Sequence, residues 1–215
     1  MGTIRSYAGP HKGLRYILSQ FIIKAGQTES ADPDQLKSLK QLGRDTFTLL
    51  NNHVHHENES TLAHLEQKAK GASQHDLQDH EELEIIQNAL EQKLTKLDST
   101  ASAEDMHMFY LDASHFYALY LLHIHHEETV TECLLQKYFT DEELMAQHQE
   151  VVKNIDLPTL LLWMQCIIPA QTEEEALKML GSIKANAPAD VFESALAAIK
   201  PNMNEESYLS LISKL

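Results

Sequence analysis

The chain has 215 residues, 43% of them apolar and 23% charged, with a formal net charge of −15. That length and composition fit a folded protein with a sizeable core and exclude a disordered or low-complexity chain. The acidic balance supplies no basic stripe to displace counterions, which argues against nucleic acid or an anionic membrane surface as a partner.

The opening residues, MGTIRSYAGPHKGLRYIL, contain no long apolar stretch before a small-residue cleavage site, so no signal peptide is expected. The longest apolar run, LPTLLLWMQCIIPA at 157–170, is bounded by prolines and too short for a bilayer core of roughly 30 Å. Cys133 and Cys166 form no C-x-x-C pair and are expected to be free buried thiols in a reducing cytoplasm.

No segment alternates apolar and polar residues as a strand would, and the apolar period is near 3.6, so the fold class is all-α. A first helix is predicted from about Pro10 to Ala25. After the loop GQTESADPD, Asp32-Pro33 starts a second that runs to about Ala69, where Lys70-Gly71-Ala72-Ser73 breaks it. A third covers about 74–97, and a fourth follows the turn LDSTASAED and covers about 103–138. Four long helices with short connections predict an up-down-up-down four-helix bundle over residues 1–145. Residues 146–215 form a C-terminal helical extension. There Pro158, Pro169, Pro188 and Pro201 cut the chain into short helices, after an amphipathic one beginning at Thr140-Asp141. This tail is read as a lid, a packing partner or an oligomer contact, with a homodimer among the options.

Histidine is the outlier: 13 occur in the chain. The pentapeptide H-[V/I]-H-H-E is written twice, at 53–57 and 123–127. In the first helix His11 lies on the stripe of Leu14, Leu18, Phe21 and Ala25. In the second, His53 and Glu57 lie on the stripe of Phe47, Leu50 and Thr61. In the third, Leu83, Leu90, Leu94 and Leu97 extrapolate back to His80. In the fourth, His123 and Glu127 share a face with Phe116, Tyr120, Val130 and Leu134. A His and a Glu four residues on are about 6 Å apart on one helix face, close enough to share a metal.

Four core-facing histidines and two glutamates would each cost on the order of 1–3 kcal/mol if left unpaired, and more if charged. A metal centre resolves that deficit. Six nitrogen and oxygen ligands exceed the needs of one zinc, and two bridging glutamates suit a pair of metals, with iron or manganese matching the donor set. His55, His56, His125 and His126 face sideways; His56 and His126 precede the glutamates and are candidates to support them. His55 with Glu59 forms a rival pair, His75 competes with His80, and Glu84 is an alternative extra ligand. His64, His107 and His115 are read as bystanders.

H-x-x-x-E on two helices, an isolated histidine in PHKGLR and the DHEEL of the third helix resemble the hemerythrin-like, HHE cation-binding domains. The stretch LLHIHHEETVTECLLQKYFTDEEL is similar to the last bundle helix and following turn of that family, and the likeness covers about residues 7–145. The resemblance implies a non-haem di-iron centre held by His11, His53, Glu57, His80, His123 and Glu127, with zinc or manganese as substitutes. It also implies binding or sensing of dioxygen, nitric oxide or iron itself. Oxygen carriers of the family have H-x-x-x-H on the third helix and H-x-x-x-x-D on the fourth. This chain, with His80 then Glu84 and His123 then Glu127, is closer to its iron-sulfur-centre repair and sensing members. The repair proteins carry a cysteine-bearing N-terminal region, whereas here no cysteine precedes Cys133. The enzyme alternative is therefore a di-iron stress enzyme, a repair protein or a peroxidase. Ferritin-like oxidases use E-x-x-H on two helices, and one such tetrad, Glu104-x-x-His107, occurs here.

Overall fold

Polar caps and one glycine divide the chain into its helices. In the computed structural model, which describes residues 4–215, there is no strand among the described residues. Helix α1 spans Ala8–Gln27, beginning ahead of Pro10. Asp32 accepts hydrogen bonds from the Asp34 and Gln35 backbone N–H groups and so opens α2 (Pro33–His56), with Pro33 in its first turn. Through a wide π-type turn at Glu57–Leu62, α2 continues into α3 (Ala63–Lys68). Gly71, at φ +82°, then reverses the chain, held by its N–H to Glu66 Oε1 at 2.7 Å. Helix α4 covers Gln74–Lys96. A capping box of Ser102 and Asp105 opens α5 (Ala103–His126), which passes through a second wide turn, Glu127–Thr131, into α6 (Glu132–Tyr138).

Helix α1 packs on α2 and α5, and α4 packs on the same two, so the long helices close a ring. Inside it lie Leu14, Leu18 and Phe21 from α1, Phe47 and Leu50 from α2, Leu90 and Leu94 from α4, and Phe109 and Phe116 from α5. Phe21 meets Phe47 edge-on at 5.7 Å and Phe109 at 6.2 Å.

The wide turns correct one part of the sequence reading. Thr61, Val130 and Leu134 were expected on the inner face by continuing a 3.6-residue period. Instead Leu62, Leu65, Thr131 and Leu135 are buried, and Val130 is 44% exposed. A π-type turn inserts one extra residue, so everything beyond it rotates by one position. Cys166 is buried as expected, but Cys133 is exposed, on the far side of the rotated helix from Leu135.

The tail forms α7 (Asp141–Asn154), α8 (Leu157–Ile167), α9 (Glu173–Asn186), α10 (Ala189–Ile199) and α11 (Glu205–Ser213). The boundary drawn at 145/146 falls inside α7. Helix α8 lies on α1 and α2, adding Trp163, Cys166 and Ile167 to the ring's own core. Gly13 allows this approach: a Cβ there would sit 2.8 Å from Ile167 Cγ1 and 3.2 Å from its backbone nitrogen. Around α8, helices α9, α10 and α11 build a second core from Met164, Ile168, Leu180, Phe192, Ile199 and Leu211, while Leu144 of α7 packs with Tyr7, Leu65, Leu135 and Phe139. Among the described residues no helix is long and apolar enough to cross a membrane.

Candidate metal centre

The inner faces of α1, α2, α4 and α5 converge on one buried cluster of six side chains: His11, His53, Glu57, His80, His123 and Glu127. Each is no more than 7% exposed. Both glutamates are the first residue of a wide turn, directly after an α-helical turn that carries the histidine of the same pair. The π-type turns thus lie immediately beyond the H-x-x-x-E faces, where they re-aim the helix after the last buried polar group.

The cluster divides into two sets of four atoms that can each hold a metal ion. In the first, His11 Nε2 and His53 Nε2 are 3.2 Å apart, His53 Nε2 is 3.2 Å from Glu57 Oε1, and His11 Nε2 is 3.3 Å from Glu127 Oε2. In the second, His80 Nε2 and His123 Nε2 are 3.1 Å apart, His80 Nε2 is 3.3 Å from Glu57 Oε2, and His123 Nε2 is 3.4 Å from Glu127 Oε1. Each glutamate therefore gives one oxygen to either set. Metal–ligand bonds of about 2.0–2.2 Å put neighbouring ligand atoms about 3.0–3.5 Å apart, which matches both sets.

The nitrogens on the far side of the rings are engaged. His11 Nδ1 donates to Glu128 Oε1 at 3.1 Å, and the Arg15 guanidinium clamps that carboxylate at 2.6 and 2.9 Å. His80 Nδ1 donates to Asn58 Oδ1 at 2.7 Å, and His123 Nδ1 to Asp79 Oδ2 at 3.4 Å. These partners are acceptors, so each imidazole carries a proton on Nδ1 and turns Nε2 towards the cluster, where a cation can displace any second proton. All four glutamate oxygens are buried and lack a hydrogen-bond partner; the imidazoles approach them from directions unsuited to hydrogen bonding. Such a set of inward-facing nitrogens and carboxylate oxygens complements a cation, which would take the place of the protons the cluster otherwise holds.

Charge in the cluster is strongly coupled. Burial, reinforced by Glu127, pushes the Glu57 carboxyl up to about 8. Burial also resists ionisation of Glu127, but the neighbouring His11 and His80 hold its carboxyl well below the usual range. Burial opposes the charged forms of His11 and His80 too, yet the surrounding carboxylates raise them to about 9 and about 10. His53 is kept neutral by burial and by the positive His11. Two buried phenols flank the cluster. The Tyr7 ring stacks on His11 at 4.9 Å, and the Tyr120 ring meets His123 edge-on at 5.8 Å. Neither hydroxyl has a partner, and burial raises both phenols well above their ordinary value, so they remain donors.

Other sequence candidates fall outside the cluster. Glu84, His55, His125, Glu59, His107 and Glu104 are exposed, and His56 and His64 are partly so. His75 is exposed and stacks on His126 away from the six. The residues missed by the sequence reading are the outer partners, Asn58, Asp79, Glu128 and Arg15, with the phenols of Tyr7 and Tyr120. One signal was available: Asn58 and Glu128 both follow directly after the repeated pentapeptide, and each holds a histidine of another helix. Trp163 of α8 closes the first set, its ring 6.3 Å from His53 and its Nε1 donating to Asn52 Oδ1 at 2.7 Å. No protein-family model, curated protein or solved structure matches the chain.

Proposed function

We propose that this chain is a hemerythrin-like protein of the cytoplasm. In this reading it is an up-down-up-down four-helix bundle with a C-terminal helical appendage, and it binds or senses dioxygen, nitric oxide or iron at a pair of iron ions. His11 and His53 would hold one metal, His80 and His123 the other, and Glu57 and Glu127 would bridge them. Zinc or manganese are the substitutes the nitrogen and oxygen donors admit. The observation that carries the reading is the outward hydrogen bonding of His11, His80 and His123, which turns their Nε2 atoms towards one another and towards glutamate oxygens that have no hydrogen-bond partner.

Iron bound there would supply coordination positions open to a small ligand, because four protein donors per metal are fewer than an octahedral ion takes. The chain's own part is to position and to shield. The Glu128–Arg15 pair fixes His11, Asn58 fixes His80, and Asp79 fixes His123, so the rings do not have to reorient when a ligand arrives. Tyr7 and Tyr120 are the buried hydroxyl donors beside the imidazoles, available to a bound polar ligand. Trp163 and the apolar ring core below the cluster keep bulk water out.

The test is spectroscopic. Iron-loaded protein, prepared without a histidine tag, should contain two tightly bound irons per chain and change its absorption spectrum on adding azide. One tightly bound zinc with no capacity for a second metal, or a ferric sample indifferent to azide, would overturn the proposal.

A further inference from the structure

A second group of metal-ligating side chains lies beside the buried cluster, towards the surface. His75, Asp76 and His126 each offer a ligand atom, and the three atoms lie within 4.8 Å of one another. Asp76 Oδ1 is 3.7 Å from His126 Nε2 and 4.0 Å from His75 Nδ1. The two imidazole rings stack nearly parallel, with centroids 4.0 Å apart and planes 14° from one another. Asp76 itself is 1% exposed, although it sits beside an exposed histidine. Its Oδ2 accepts from the Thr131 hydroxyl at 2.6 Å, while its Oδ1 is buried with no hydrogen-bond partner. Thr131 ends the second wide turn, so the insertion that re-aims α6 also anchors this carboxylate and orients its free oxygen towards the two imidazoles.

We propose that His75, Asp76 and His126 bind a divalent transition-metal cation, and that this is where metal is captured before it moves to the buried cluster. A tetrahedral ion with bonds of about 2.0–2.2 Å needs ligand atoms about 3.3–3.5 Å apart. The Asp76 spacings of 3.7 and 4.0 Å must therefore shorten and the stacked rings must tilt to turn a nitrogen each to the ion, which the exposed His75 side chain is free to do. Two imidazoles and one carboxylate, without thiolate, suit Fe²⁺, Zn²⁺, Mn²⁺ or Co²⁺. The solvent-facing position stays open, which suits rapid exchange rather than permanent retention. Asp79 joins the two places: its Oδ2 is 3.5 Å from His75 Nδ1 and 3.4 Å from His123 Nδ1. A cation leaving His75 therefore meets a carboxylate already in contact with a histidine of the second buried set. The capture role rests on reading the buried cluster as a metal centre; the outer site does not.

The experiment compares metal-free wild-type chain with His75→Ala and with His75→Ala/His126→Ala, chosen because His75 is exposed and His126 partly so. Equilibrium dialysis against Zn²⁺ should give three equivalents for wild type, one of them weak, and two for either variant. Two equivalents for wild type, or three for the double variant, would overturn the outer site. A single equivalent in wild type that is lost in the variants would support the outer site while refuting the buried centre. For the capture role, stopped-flow loading with Fe²⁺ should be slowed tenfold or more in the double variant, with the same final content of the buried sets. Equal loading rates would refute that role.

Discussion

Because each glutamate contributes one oxygen to either set, histidine and glutamate substitutions should differ in metal stoichiometry. His53→Ala removes a donor from the first set alone, and His123→Ala one from the second alone. Each variant should retain one of the two buried metals. Glu57→Ala and Glu127→Ala remove an oxygen from both sets at once and should retain neither buried metal. The energetic counterpart follows from linkage. With free metal at 1,000 times the dissociation constant, each bound ion adds about 4.1 kcal/mol to folding stability. The difference in stability between loaded and metal-free protein should therefore fall by about 4 kcal/mol in the histidine variants and about 8 kcal/mol in the glutamate variants. Taking that difference within each variant removes the cavity cost of truncation, which is common to both forms. The assay is urea denaturation of dialysed and metal-loaded samples, with elemental analysis of the latter. With the outer site removed by His75→Ala/His126→Ala, glutamate variants that keep one metal, or histidine variants that lose both while still folded, would refute the bridging arrangement.

Asn58→Ala leaves His80 Nδ1 without its acceptor and should weaken metal binding about 10–100-fold at the second set only, read by competition with a chelator. His55→Ala and His125→Ala, at exposed positions, should change neither metal content nor stability, and loss in either would mean the inner face is misassigned. Metal uptake at pH 7 should release three protons per chain, one each from His11 (about 9), His80 (about 10) and Glu57 (about 8), because their raised values keep all three protonated until the cation displaces them. An indicator dye in weak buffer measures this, and no release would contradict the coupling described. Gly13→Ala should destabilise the fold by about 1 kcal/mol, because overpacking of about 1–3 kcal/mol outweighs the helix preference of about 1 kcal/mol for alanine. The added Cβ meets the Ile167 backbone, which cannot turn aside, so a more stable variant in a denaturant titration would show that α8 is not docked there.

Much of this arrangement was legible in the sequence, because local physics is written in local patterns. Asp32-Pro33 and the turn LDSTASAED located the starts of α2 and α5, and Gly71 marked the reversal between α3 and α4. The phase of His11, His53, His80 and His123 against their leucine and phenylalanine stripes put each on an inner face, and the four-residue spacing aligned Glu57 and Glu127 with them. The period failed only beyond the glutamates, where Val130 turned outward and Thr131 inward. A one-residue insertion in a helix leaves no mark in composition and is decided by what the neighbouring helices can pack against. Long-range pairing was likewise a matter for the tertiary structure. That Asn58 holds His80, Arg15 and Glu128 hold His11, and α8 rests on Gly13 depends on helices distant in sequence being brought side by side. The same holds for Asp76 of α4, a buried carboxylate whose neighbours Thr131 and His126 come from the wide turn and from the end of α5.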